Sequence, residues 1–179
     1  MRHNLDNTFD PIRKKPRSKI DRGYRKLTHT DLYQQVVGFT CIACKQIISS
    51  DPLYSGVNNR NHCPYCLTSK HVDLYRSGDR LNACKSRMTP IGLTWKRSKN
   101  KYGSGLGELM IVHRCEGCHQ FSINRIAADD CSDSIQQLFH STINLPQADL
   151  CELNHSNIEL VKPDHKSEIL ACLYGNLIY

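Results

Sequence analysis

The chain has 179 residues, a formal net charge of +7 and 39% hydrophobic residues, which fits one compact domain with extensions or two small ones. A negative mean hydropathy and the lack of any long apolar run exclude a membrane-spanning helix and argue against a large oily core, so a body this polar needs a staple. Ten cysteines are the evident source of one. Met1 to Lys19 is basic and has no apolar stretch resembling a signal peptide. The expected location is therefore cytoplasmic, where thiols stay reduced and lean towards metal binding or catalysis.

In chain order, residues 1–38 read as a basic arm with a short helix. Pro11 and Pro16 interrupt it, and Arg13, Lys14, Lys15, Arg17, Lys19, Arg22, Arg25 and Lys26 crowd it, with little apolar surface to bury. The helix is expected from a Thr30 N-cap through Val37 to a stop at Gly38. A cysteine-rich body follows over residues 39–130. Strands are predicted at Ile91–Lys96, Leu109–His113 and Phe121–Ile126, with a polar, glycine-rich hairpin loop at 97–105. Leu67–Asp73 also reads as extended. Residues 131–179 are acidic and form a partly helical extension, with helices expected over Ser134–His140 and Lys166–Tyr174. Asn144–Lys162 has no clear period, and this rear segment reads as an appended module or docking tail. Charge is polarised: residues 1–30 hold nine Lys/Arg against three Asp, and residues 127–179 hold two Lys against eight Asp/Glu.

Three C-x-x-C pairs occur, at Cys41/Cys44, Cys63/Cys66 and Cys115/Cys118. Two intervening residues let a tight turn aim both sulfurs at one ion, and two such turns complete a tetrahedron. The eighteen residues between the first two pairs fit a four-cysteine Zn²⁺ site. Cys115 and Cys118 begin a second site, with Cys84 the expected third ligand. For the fourth, His113 lies two residues before Cys115 and His71 is its main competitor; the sequence does not choose. Thiolates select Zn²⁺ or iron–sulfur clusters over hard cations. Cys131, Cys151 and Cys172 stand alone and read as ordinary thiols. A faint repeat links Thr40-Cys-Ile-Ala-Cys-Lys-Gln with Arg114-Cys-Glu-Gly-Cys-His-Gln. Cys63-Pro64-Tyr65-Cys66 also looks like a glutaredoxin active site, but no helix pattern follows it.

The expected fold is a small β-rich body of zinc-ribbon type with two metal knuckle sites and short flanking helices, stabilised by metal. Arg60-Asn61-His62-Cys63-Pro64, extended by Phe39-Thr40-Cys41-x-x-Cys44, Arg60–Asp73, Gly78-Asp79-Arg80, Cys84 with Met88-x-Pro90-Ile91-Gly92, His113-Arg114-Cys115-x-x-Cys118, and Asn124-Arg125, resembles the RNHCP domain family, a bacterial group of zinc-ribbon character. The resemblance covers roughly residues 39–130. It implies metal at the matching cysteines and marks Arg60, Asn61, His62, His71, Asp73, His113 and Arg125 as positions of interest. Lys45 and Ser86 stand where a glycine is expected after a knuckle or turn.

A closed four-ligand site has no open position for water and acts as scaffolding, so the enzyme readings, thiol redox or zinc-dependent hydrolysis, are disfavoured. Binding is the favoured class. The arm, Arg60, Asn61, Lys96, Arg97, Lys99, Lys101 and a patch of Arg76, Arg80, Lys85 and Arg87 offer cations for phosphates, and Tyr102, Trp95 and Tyr65 offer rings for unpaired bases. The expected partner is structured RNA or the ribosome. The alternative is a protein-interaction adaptor whose partner docks on the C-terminal extension.

Overall fold

The longest run of alternating apolar residues becomes the centre of the molecule. In a computed structural model, which describes residues 38–97 and 107–175, a four-stranded antiparallel sheet has the order β3 (Ser69–Lys70), β4 (Arg87–Lys96), β5 (Glu108–Cys115), β6 (Phe121–Arg125). A separate ribbon pairs β1 (Phe39–Thr40) with β2 (Ile47–Ile48). The three expected strands are present and β4 and β5 are longer than predicted. The extended reading of Leu67–Asp73 shrinks to the two residues of β3, because the chain on either side is bent to serve a knuckle. The predicted helix at Thr30–Val37 and most of the 97–105 loop lie outside the described residues.

Pro90 interrupts β4 without breaking it. It faces His113 on β5, and β3 pairs β4 only at Arg87 and Met88, so its missing N–H falls on an open edge. The register slips between Pro90 and Gly92, a bulge that turns Gly92 towards the helical layer. A Cβ on Gly92 would stand 3.0 Å from Thr142 Oγ1 and 3.1 Å from Leu160 Cδ2, so the sheet accepts its covering helix closely only because this residue is glycine.

The helices are α1 (Pro52–Ser55), α2 (Ser132–Ile143), α3 (Gln147–His155) and α4 (Lys166–Tyr174). In α2, Ile135, Leu138, Phe139 and Thr142 fall on one buried face, the i, i+3, i+4, i+7 stripe of a covering helix. Helix α3 was not expected. Its one buried residue is Leu153, so it lacks the periodicity that a sequence reading needs.

The reading of residues 131–179 as an appended tail does not hold for its packing. One core joins Leu67, Leu93, Leu109 and Ile111 of the body to Ile135, Leu138, Phe139, Val161 and Ile169 of the rear segment. Val161 N–H donates to the Leu93 carbonyl (2.9 Å) and Trp95 Nε1 donates to His165 Nδ1 (3.2 Å). The rear segment is the second layer over the sheet. Trp95 is half-buried against this core and is not the free stacking ring the sequence suggested. Among the described residues, no helix is long and apolar enough to cross a membrane.

Candidate metal centres

Each C-x-x-C pair folds into the same turn. The first cysteine's N–H donates across the knuckle to the residue five places on: Cys41 to Gln46 O (2.8 Å), Cys63 to Thr68 O (2.9 Å), Cys115 to Gln120 O (2.9 Å). The residue after the second cysteine donates back to the first cysteine's carbonyl: Lys45 (3.1 Å), Leu67 (2.9 Å) and His119 (3.0 Å). These three residues adopt φ of 64°, 57° and 61°, a left-handed conformation that costs a non-glycine residue about 1 kcal/mol. The faint two-fold repeat of the sequence is thus a three-fold structural repeat. The glycine expected at Lys45 is explained by that φ. The expectation at Ser86 was one residue off, since the left-handed position is Lys85, at φ 50°.

Inside the turns, backbone amides point at sulfur. Ala43 N–H reaches Cys41 Sγ at 3.4 Å, Tyr65 and Cys66 amides serve Cys63, and the Gln120 amide serves Cys118. Such donors favour thiolate and orient it.

The first four sulfurs converge. Cys41 and Cys66 lie 3.6 Å apart, Cys44 and Cys63 3.5 Å apart, and all four are within 4.8 Å of one another. A tetrahedron with metal–sulfur bonds of ~2.3 Å has edges of about 3.8 Å, whereas a disulfide requires about 2.0 Å. The spacing is that of ligands around one ion. Burial pushes the Cys63 thiol up, the reverse of what a redox nucleophile requires, and the short strand β3 follows where a glutaredoxin has a helix.

The second cluster consists of His71, Cys84, Cys115 and Cys118, again within 4.8 Å of one another. Cys84 and Cys115 are 3.6 Å apart, and His71 Nδ1 is 3.2 Å from Cys118 Sγ. His71 and Cys84 are brought together by a pinched loop: Lys85 N–H donates to His71 O (3.0 Å) and His71 N–H to Ser86 O (2.9 Å). Asn82 touches both ligands. Its Oδ1 accepts the Cys84 N–H (2.9 Å) and its amide nitrogen lies 2.8 Å from His71 Nε2, a contact that sets the ring's orientation. The Ser86 hydroxyl and amide, with His71, pull the Cys84 thiol down to about 6.

His113 is not in this cluster. Its Nε2 sits 2.7 Å from the Leu67 carbonyl and its Nδ1 3.1 Å from Asn124 Nδ2, so both ring nitrogens are engaged away from the sulfurs. Complete burial lowers its pKa to about 3 and keeps the ring neutral. Four thiolates at the first cluster and three thiolates with one imidazole at the second, each set within 4.8 Å and with thiolate-favouring amides around it, fit Zn²⁺.

Residues 36–136 match the RNHCP domain, which is more than half of the chain. The protein belongs to the RNHCP-domain family. The matched span holds all eight ligands and ends within the first turns of α2. No curated protein and no solved structure matches the chain.

The letters that name the domain are mostly consumed by structure. The Arg60 side chain is fully buried and forks onto Asp129 (2.6 Å) and Asp130 (3.0 Å), while its Nε donates to His62 O (3.2 Å). The expectation that Arg60 meets phosphate is therefore corrected: its charge is matched inside the protein. His62 Nε2 is 2.8 Å from Asp130 Oδ2, Cys63 is a ligand, and the Pro64 carbonyl accepts the Cys131 N–H at 2.9 Å. This network ties the second knuckle to the start of α2. Sequence reasoning missed Asp129 and Asp130, whose only signal was a pair of acids ahead of a helix.

Of the other expected cations, exposed Arg80 pairs with the largely buried Asp73 at 3.6 Å, and Arg87 pairs with Glu116 at 3.3 Å, both exposed. Lys96 and Arg97 are exposed. The cationic residues 13–26, Lys99, Lys101 and Tyr102 lie outside the described residues. Tyr65 is exposed beside the first centre. Of the lone thiols, Cys151 and Cys172 are exposed and Cys131 is half-buried at the N-cap of α2.

Proposed function

We propose that this protein binds nucleic acid, with structured RNA or the ribosome as its target, using the basic arm for attraction and the zinc-held body for placement. The observation that carries the reading is the density of nine Lys/Arg within the first thirty residues, more than solubility requires. Clusters with four protein donors give a rigid body and leave no coordination position for chemistry. On that body Lys70, Arg76 and Lys85 are exposed beside the second centre, with no carboxylate at ion-pair distance among the described residues. Binding should fall steeply with salt, as counterion release dictates, and should weaken when residues 1–26 are removed. Binding that ignores salt, or that survives the deletion at full strength, counts against this reading.

A protein-interaction adaptor is the second reading, favoured by apolar side chains around the first knuckle. Ile47, Leu53 and Tyr54 are 81%, 91% and 70% exposed, which is costly unless something covers them. A partner captured equally well after nuclease treatment would favour it.

A further inference from the structure

Of the five residues Arg60 to Pro64, only Asn61 has a side chain without a structural partner among the described residues. Its backbone carbonyl accepts the Ser69 hydroxyl at 3.0 Å, and Asn61 lines a cleft of about 160 Å³ between loop 70–77 and strands β4 and β6. Met88, Ser122, Ile123 and Asn124 of the sheet form one wall, and loop 70–77, which starts beside the candidate ligand His71, forms the other.

Asn124 lines the same cleft, and its orientation is fixed from below. A carbonyl can only accept, so His113 Nε2, 2.7 Å from Leu67 O, carries the ring's proton. His113 is buried with no carboxylate at hydrogen-bond distance among the described residues, so Nδ1 keeps its lone pair and Asn124 Nδ2 donates to it at 3.1 Å. That leaves Asn124 Oδ1 and the second amide hydrogen for a ligand. Two carboxamides thus line one cleft and offer it both donors and acceptors, the chemistry that complements a nucleobase edge.

The rim supplies the rest. Lys70 and Arg76 line the cleft and have no carboxylate at ion-pair distance among the described residues, whereas Arg80, Arg87, Arg114 and Arg125 are all paired; Asp73, which also lines the cleft, is taken up by Arg80 and by the Gly78 and Arg80 amides. Tyr75 stands at the lip with its ring exposed, a surface on which a base can stack. The loop is held in advance of binding: the Asp79 carboxylate accepts the amides of Leu74 (2.9 Å), Tyr75 (2.8 Å) and Arg76 (3.0 Å). At ~30 Å³ per water the cleft holds roughly five waters, room for one flat heterocycle and not for a duplex.

We infer that this cleft takes a single unpaired nucleobase, read by Asn61 and Asn124 and stacked on Tyr75, with the attached phosphate on Lys70 and Arg76. The inference rests on the nucleic-acid reading above and assigns it a site. A single RNA strand and a free mononucleotide share this chemistry.

The test uses the full zinc-loaded chain, a labelled short oligoadenylate and oligouridylate, the mononucleotides AMP and UMP, and heparin as a polyanion without bases. Asn61→Ala and Tyr75→Ala should each weaken oligonucleotide binding roughly tenfold, leaving heparin affinity and the salt slope unchanged. The double variant Lys70→Ala/Arg76→Ala should lower the salt slope by about one to two. In nitrogen-edited NMR spectra the Asn61 and Asn124 side-chain amides should shift with bound nucleotide. Shifts with AMP or UMP alone identify the free nucleotide as sufficient; shifts with the oligonucleotides only identify the strand. Wild-type affinity in both Asn61→Ala and Tyr75→Ala overturns the cleft, and if removal of residues 1–26 still abolishes binding, the arm reading survives it. A wild-type protein that binds neither strand nor mononucleotide sinks both.

Discussion

Asp130 should be among the costliest non-ligand residues to replace. Its side chain is fully buried, and it accepts from Arg60 (3.0 Å), from His62 (2.8 Å) and from the Ala127 N–H (2.8 Å). Asp130→Ala leaves the guanidinium of Arg60 buried with only Asp129, which is 36% exposed, as counter-charge, and leaves His62 without its carboxylate. Removing one partner of a buried ion pair costs about 3–5 kcal/mol; the surviving Asp129 contact places the expectation near the lower end, about 3 kcal/mol. Asp130→Asn keeps the shape and can still accept from Ala127, so it should lose only the charge-assisted part, about 2 kcal/mol. Against a total stability of about 5–15 kcal/mol for a domain of this size, both are large. The assay is urea unfolding followed by near-ultraviolet circular dichroism, at one fixed excess of zinc so that mass action from the metal is constant. The alanine variant should still hold two zinc ions where it is folded. If both variants unfold within about 0.5 kcal/mol of wild type, a typical surface value, the network does not fasten the knuckle to α2 and the reasoning fails.

Further outcomes follow from the two centres. His71→Ala should reduce bound zinc from two ions to one by elemental analysis, whereas His113→Gln should keep both; the opposite pattern would exchange their roles. Cys66→Ser should yield insoluble or unfolded protein, since a structural zinc site contributes on the order of ~10 kcal/mol of folding free energy; a soluble, folded, metal-free variant would refute the dependence on metal. Lys45→Gly should raise stability by about 0.5–1 kcal/mol, because glycine relieves a φ of 64°, while the lost Lys45 Nζ contact to Ile42 O (2.8 Å) is exposed and weak; destabilisation would show that the lysine serves the knuckle. Asp79→Asn should speed amide exchange at Leu74, Tyr75 and Arg76 by about tenfold or more, because hydrogen bonds to a charged acceptor are worth ~1.5–3 kcal/mol; unchanged exchange would mean the loop is ordered by something else.

The metal centres were legible because their chemistry is written in fixed spacings. A C-x-x-C pair dictates its own turn, and the strands between the knuckles announce themselves by period two. The fourth ligand was not legible. His71 and His113 differ little as letters, and what separates them is the pinch of loop 71–86, made of backbone hydrogen bonds that any residues could form. The role of Arg60 was misread for a related reason: a lone arginine beside a rigid knuckle offers phosphate a donor unless two carboxylates seventy residues away arrive to claim it. Helix α3 escaped notice because it packs through a single buried leucine, too little to leave a period.

The polarised charge of the chain takes on a different meaning once the rear layer is in place. An acidic segment following a basic body looks like a surface held out for a partner. Four carboxylates of residues 127–179 are instead matched within the chain: Asp129 and Asp130, at the end of the body, pair with Arg60, and Asp149 (2.9 Å) and Glu152 (2.8 Å), in the rear layer, pair with Arg114. These pairs neutralise Arg60, which lies just ahead of the second knuckle, and Arg114, which lies just ahead of the third. This removes much of the electrostatic case for a docking tail and sharpens the case for the other face, since cations that remain unpaired after such thorough matching are more informative than cations in general. Lys70, Arg76 and Lys85 flank the second centre, on the loop that also carries His71 and Cys84. A ligand drawn to them meets a surface whose geometry the metal itself sets, so loss of the second zinc should abolish placement of the ligand while leaving attraction by the arm intact. His71→Ala tests this directly: the salt slope should fall by no more than the contribution of Lys70, Arg76 and Lys85, and discrimination between oligonucleotide and heparin should disappear. Retained discrimination would separate recognition from the metal.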